Sequence, residues 1–152
     1  MNNELYHHGI LGMKWGVRRY QNKDGTLTQK GKEHYTKIRD RFASNANNAY
    51  NANRHNAEVF KRTRDDDKKR SDEDFVAEYP DWWSISDTIA SARDKMFSDV
   101  TTYYNNSIKR AEKWLAMHNE IMNAPLGTLK NKRQYNKMVQ RYFPDGDAYD
   151  MW

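Results

Sequence analysis

The chain has 152 residues, of which 37% are hydrophobic and 13% aromatic, with a mean hydropathy of -1.19 and a net charge of +5. That length fits one ordinary domain, but the polarity is too high for a thick globular core and suits an elongated helical protein or one that completes its core on a partner. It contains no cysteine, which excludes disulfides, iron–sulfur clusters, thiolate zinc sites and cysteine nucleophiles within it.

The charge is unevenly placed. Residues 1–41 hold nine Lys and Arg against four Asp and Glu, and the remainder holds seventeen of each. The basic excess therefore sits at the N-terminal end. It reads either as a solvated face or as a contact for nucleic acid or an acidic partner. There is no basic leader followed by an apolar core, and no apolar run of membrane-spanning length. The expected location is host cytoplasm or virion, with no membrane contact.

In chain order, residues 1–28 form an irregular module that differs from everything after it. Its densest stretch runs Tyr6-His7-His8-Gly9-Ile10-Leu11-Gly12-Met13-Lys14-Trp15-Gly16-Val17-Arg18-Arg19-Tyr20. Residues 17–21 read as a short strand. Asn22-Lys23-Asp24-Gly25 is a hairpin-turn signal, Thr26-Leu27 returns as a second strand, and Thr28 is a helix N-cap. Between Glu4 and Asp24 the charges are all basic: Lys14, Arg18, Arg19 and Lys23. They are interleaved with Trp15 and Tyr20, and Arg and aromatic side chains favour binding hot spots. The candidate partner-binding residues are therefore Lys14, Trp15, Arg18, Arg19 and Tyr20, with Gly9, Gly12 and Gly16 shaping the loop. The same mixture suits stacking on nucleic-acid bases, but four charges make a small phosphate footprint, so that binding would be weak and salt-sensitive. The competing reading folds Ile10, Leu11, Met13 and Trp15 back on the helices as a cap.

The segment from His8 to Thr28, with Gly31-Lys32 and Tyr35, resembles a short module common in phage and prophage proteins of Gram-positive bacteria. In those proteins the module stands at the ends of otherwise different chains, many encoded near head and structural genes. The resemblance covers about a fifth of the chain. One departure is Gln29-Lys30, where the pattern has a small residue or proline before Gly31. The resemblance implies a phage context and brings no mechanism with it.

A helical body is expected over 29–143. Tyr35, Ile38, Phe42, Ala46, Ala49, Asn53, Ala57 and Phe60 alternate by three and four, close to a heptad seam. An asparagine inside that seam would fix register, and the opposing reading leaves the asparagines exposed on a weak helix. Lys61/Asp65, Arg62/Asp66, Asp65/Lys69 and Asp66/Arg70 are spaced for i,i+4 pairs worth about 0.2–0.5 kcal/mol each. A break follows at 71–84. Ser71-Asp72-Glu73-Asp74 resembles a capping box, Tyr79-Pro80 ends a short helix, and Trp82-Trp83 plug a corner or present a hot spot.

A second long helix is expected over 84–123, with Ile85, Ile89, Ala92, Met96, Val100, Tyr104, Ile108, Ala111, Leu115, His118 and Met122 on its apolar stripe. Pro125-Leu126-Gly127 stops it within a second break, at 124–128. Thr128 caps a third helix to Tyr142 carrying Leu129, Tyr135, Met138, Val139 and Tyr142, and an acidic, aromatic tail fills 144–152. The architecture is thus mainly α: a small irregular or β-hairpin module, an elongated antiparallel helical hairpin and a shorter third helix. The hairpin could also pair between chains as a homo-oligomer.

Catalytic signals are weak. His7 and His8 are adjacent but neighbours seldom ligate one metal, and Glu4 beside them makes at most a minor acid/base cluster. His118 reads as a satisfied seam residue. There is no nucleophile elbow, phosphate loop or zinc-protease helix. The expectation is a non-enzymatic protein without cofactor or metal, docking to a protein partner, a phage structural protein by the resemblance. The alternative is a small nucleic-acid-binding or host-defence-inhibiting phage protein.

Overall fold

A computed structural model describes residues 17–148, with side chains from Arg19 onward. The described part is mainly helical: α1 Val17–Tyr20, α2 Gln29–Asp67, α3 Asp72–Glu78, α4 Pro80–Ser84, α5 Ile89–Asn123 and α6 Lys132–Tyr142. At 1.5 Å per residue, α2 and α5 are each roughly 50–60 Å long. They pack antiparallel along most of that length. Ala43 meets His118, Asn53 meets Arg110, and Phe60 stacks on Tyr103 with ring centroids 5.5 Å apart. The expected hairpin therefore forms within one chain.

The caps explain where the helices begin. Thr28 accepts the Gly31 amide at 3.0 Å and starts α2, as its sequence position predicts. Ser71 accepts the Asp74 amide at 3.1 Å and donates its hydroxyl to the Asp74 carboxylate, which starts α3. Tyr79 caps the end of that helix, and Pro80 opens the single turn of α4. Thr88, not Ser84, starts the second long helix by accepting the Ser91 amide. Asn131, not Thr128, starts α6, and it accepts the Gln134 amide while Gln134 takes the Lys130 amide. The Thr128 amide is already committed to the Pro125 carbonyl in the preceding turn.

Two cores occupy opposite ends of the hairpin. At the α6 end, Phe42, Ala46, Trp114, Met117 and Ile121 gather with Leu129, Tyr135, Phe143 and Ala148. The first residues of the acidic tail belong to this core. Ala148 is buried, its carbonyl accepts Trp114 Nε1 at 3.3 Å, and Asp147 pairs with Lys113 at 3.5 Å. At the other end, Phe75, Ala92 and Met96 are sealed by Tyr79, Trp82, Ile89, Phe97 and Val100. Trp82 is the corner plug, whereas Trp83 is 39% exposed. Between the cores the seam is small and polar. Asn53 is buried, bonds the Ala49 carbonyl at 2.8 Å and accepts Arg110 Nε at 3.1 Å. A pair with one required geometry in the middle of the seam favours a single register.

Three further expectations are corrected. Residues 17–20 form a helical turn rather than a strand, and the hairpin reduces to one antiparallel bridge between Gln21 and Leu27. The Thr28 amide to the Tyr20 carbonyl and the Asn22 amide to the Thr26 carbonyl make that bridge, and the Arg19 carbonyl accepts the Thr28 hydroxyl as α2 begins. The second stripe runs off the buried face. Ile85, Leu115 and Met122 are exposed, and the buried positions are Ala92, Met96, Ser107, Ala111, Trp114, Met117 and Ile121. Ile85 lies before α5 begins, and repeated steps of four between Met96 and Ile108 turn the rest of the expected stripe about 60° around the helix between Ile89 and Met122. The i,i+4 charge pairs near 61–70 are replaced by Arg64 with Asp65, and Arg70 with Asp67 and Glu78; α2 ends at Asp67, which separates Asp65 from Lys69 and Asp66 from Arg70.

Candidate docking site

Where the N-terminal module joins the body, the chain is clasped onto the first turns of α2. Asn22 and Thr26 close a tight turn through the Asn22 amide and the Thr26 carbonyl at 2.8 Å. Gly25 supplies the left-handed conformation that turn needs, with φ of 86°. Asp24 Oδ1 accepts both the Thr26 hydroxyl and its amide, and these bonds hold the Asp24 carboxyl below its ordinary range. The Asp-Gly turn signal is therefore realised, even though the flanking strands are not.

The returning chain then locks to α1. The Thr28 amide donates to the Tyr20 carbonyl at 3.0 Å, and the Thr28 hydroxyl donates to the Arg19 carbonyl at 3.0 Å while capping α2. One threonine thus starts the long helix and ties the module to it. Gly31 lets the two segments touch. A Cβ built there would lie 2.1 Å from the Tyr20 carbonyl oxygen, so no larger residue fits without moving α1. Above this contact the Tyr20 ring stacks on His34, with centroids 4.3 Å apart and planes 7° apart. Tyr35 closes on both rings edge-on.

Of the sequence-predicted docking residues, Tyr20 is half-buried in this stack and anchors the module, and Arg19 is exposed beside it. Tyr20 is thus largely spent on the body. Lys14, Trp15, Gly9, Gly12 and Gly16 lie outside the described residues, as do His7, His8 and the side chain of Arg18. The module pattern includes Gly31 and Tyr35, whereas His34, which stacks on Tyr20, is not picked out by the sequence. Its spacing of three from Gly31, on the same helix face, was the available signal.

His118 Nδ1 bonds the Ala43 carbonyl at 3.0 Å, as a satisfied seam residue does. Among the described residues no group of three or more His, Cys, Asp or Glu is placed to hold a metal ion. No helix of the described residues is long and apolar enough to cross a membrane.

Residues 1–22 match the model of a family of unknown function, DUF7211. The match ends inside the clasp, two residues past Tyr20. No curated protein and no solved structure matches the chain significantly.

Proposed function

We propose that this is a non-enzymatic phage or prophage protein, virion-associated or acting in assembly, in which the N-terminal module docks to a protein partner and the helical hairpin is the payload or spacer. The observation that carries this reading is the coincidence of two boundaries. The family match covers residues 1–22 alone, and the clasp built on Thr28, Gly31 and His34 is where that segment meets the body. A segment matched independently of the helical body, and tied to it at one end, is suited to presenting one attachment element from a variable scaffold. The resemblance of residues 8–28 to modules of phage structural-region proteins supports a phage structural protein as the partner, in the host cytoplasm or the virion. Lys14, Trp15, Arg18 and Arg19 are the contact residues in this reading. Gly9, Gly12 and Gly16 give the path between them.

The test is co-purification with phage heads. Deleting residues 1–16 removes none of the described residues of the clasp or of either core, so the body should keep its helicity while incorporation falls to background. The double variant Arg18→Ala/Arg19→Ala and the single Trp15→Ala should each weaken incorporation. Unchanged incorporation on deletion sinks the docking reading. Binding to nucleic acid that falls steeply with salt and depends on Arg18 and Arg19 favours the nucleic-acid alternative instead.

A further inference from the structure

The geometry points to a second binding site, on the body of the protein: a groove between α2 and α6 that takes an extended acidic peptide segment of a partner protein. The groove has a volume of about 740 Å³ and lies over the larger core. Its floor is the stacked pair Phe42 and Tyr135, with centroids 4.6 Å apart and planes 12° apart. Arg41, Asn45 and Asn48 line it from α2, and Lys132 and Asn136 from α6. That volume is within the range of sites that bury a ligand.

Three features select the occupant. First, the asparagine amides are free to bind. Asn53 is committed to Ala49 and Arg110, but no hydrogen bond among the described residues engages the side chains of Asn45, Asn48 or Asn136. Each amide offers donors and an acceptor, matching the N–H and C=O groups that an extended peptide presents on its edge. Second, the α2 wall from Asn45 to Asn53 is about 12 Å long, which spans three to four residues of extended chain. Third, the charge is one-sided. Arg41 and Lys132 are exposed on the two rims, and no carboxylate stands among the described lining residues. Two cations on opposite walls suit one or two Asp or Glu side chains. They are too few to hold a nucleic-acid strand, whose affinity scales with the number of phosphates neutralised. The site is separate from the N-terminal module and does not depend on its role.

The experiment is fluorescence anisotropy on the full chain with a labelled hexapeptide, Gly-Asp-Phe-Asp-Leu-Gly, its lysine-for-aspartate counterpart, and a six-nucleotide uridine strand. The aspartate peptide should bind the wild type and the lysine peptide should not. Arg41→Glu/Lys132→Glu should weaken the aspartate peptide about tenfold and turn the preference toward the lysine peptide. Both positions are exposed, so circular dichroism should be unchanged, and the reversal of preference reports on the groove irrespective of any small loss of stability. Asn45→Ala/Asn48→Ala should weaken the aspartate peptide several-fold while keeping its preference. Equal binding of both peptides, no binding of the aspartate peptide, or tighter binding of the uridine strand would each overturn the assignment. Binding that arises only when residues 149–152 are removed assigns the groove to that segment and overturns a partner occupant.

Discussion

Arg93, near the start of α5, donates to the carbonyl of Asp67, the last residue of α2, at 2.9 Å. The same guanidinium reaches the carbonyls of Arg70 and Ser71 at 2.8 and 2.9 Å and lies 4.5 Å above the Phe75 ring. A helix end leaves carbonyls without partners and carries a partial negative charge. One arginine on the facing helix answers both. The Asp67 carboxylate is buried and is held from the other side by Arg70 Nε at 2.8 Å and the Tyr79 hydroxyl at 2.7 Å. The corner of the hairpin is therefore closed by polar bonds over a small apolar core, which is how a chain this hydrophilic keeps two long helices folded back on each other.

Replacing Arg93 tests that account. Arg93→Ala removes one donor from three carbonyls, of which those of Asp67 and Ser71 keep the Arg70 and Phe75 amides, breaks the pair with Asp72 and uncovers the Phe75 ring, and should cost about 2–4 kcal/mol in urea unfolding. Arg93→Lys keeps the charge but cannot spread its donors over three acceptors, and should recover less than half of that loss. Full recovery by lysine would show that charge alone closes the corner.

The neighbours Trp114 and Leu115 make the second test. Trp114 is fully buried, tilts against Phe143 with centroids 4.7 Å apart and bonds the Ala148 carbonyl, whereas Leu115 is 39% exposed. Trp114→Ala should cost about 3–5 kcal/mol. Leu115→Ala should stay within about 0.5 kcal/mol. Equal costs would return the buried face to the stripe through Leu115 that the spacing alone suggests.

What was legible and what was not divides along physical lines. Thr28, Ser71 and the α2 seam are local signals, set by capping chemistry and 3.6-residue periodicity, and each is realised. The α5 stripe misleads because, over 35 residues, a spacing error of a tenth of a residue per turn moves the face, and only packing against α2 corrects it. Residues 17–20 form a helical turn whose last two carbonyls meet Thr28, a contact across eight or nine positions that propensity does not register. Arg93 and the groove of Arg41, Asn45, Asn136 and Lys132 are products of tertiary folding. Their residues look like ordinary solvated helix positions until the hairpin brings them together.

Gly31→Ala should separate the clasp from the helix. Alanine is favoured over glycine in a helix by about 0.8–1 kcal/mol, so α2 itself should lose nothing. The new methyl would collide with the Tyr20 carbonyl, and α1 must move away. The readout is the His34 ring in NMR, whose upfield shift from stacking on Tyr20 should disappear while far-ultraviolet ellipticity is kept. If docking relies on a fixed presentation of the module, incorporation into phage heads should fall with it. Unchanged His34 resonances would contradict the close approach.

The hydroxyl of Tyr79 gives the fold an alkaline limit. Burial, then its bond to the Asp67 carboxylate, push its pKa from 10.0 up to about 12. The folded chain therefore holds this proton more tightly than the unfolded one. Below pH 10 both states keep it and the contribution is fully present. Between pH 10 and about 12 the unfolded state releases it first, and stability falls as pH rises. Other tyrosines and the lysines titrate in the same range, so the comparison is with Tyr79→Phe. That variant lacks the bond and should be less stable at neutral pH by about 0.5–1.5 kcal/mol. The gap between the two proteins should close as pH rises from 10 toward 12, measured by urea unfolding at fixed ionic strength. Parallel curves across that window would mean that the Tyr79 proton is not held by Asp67.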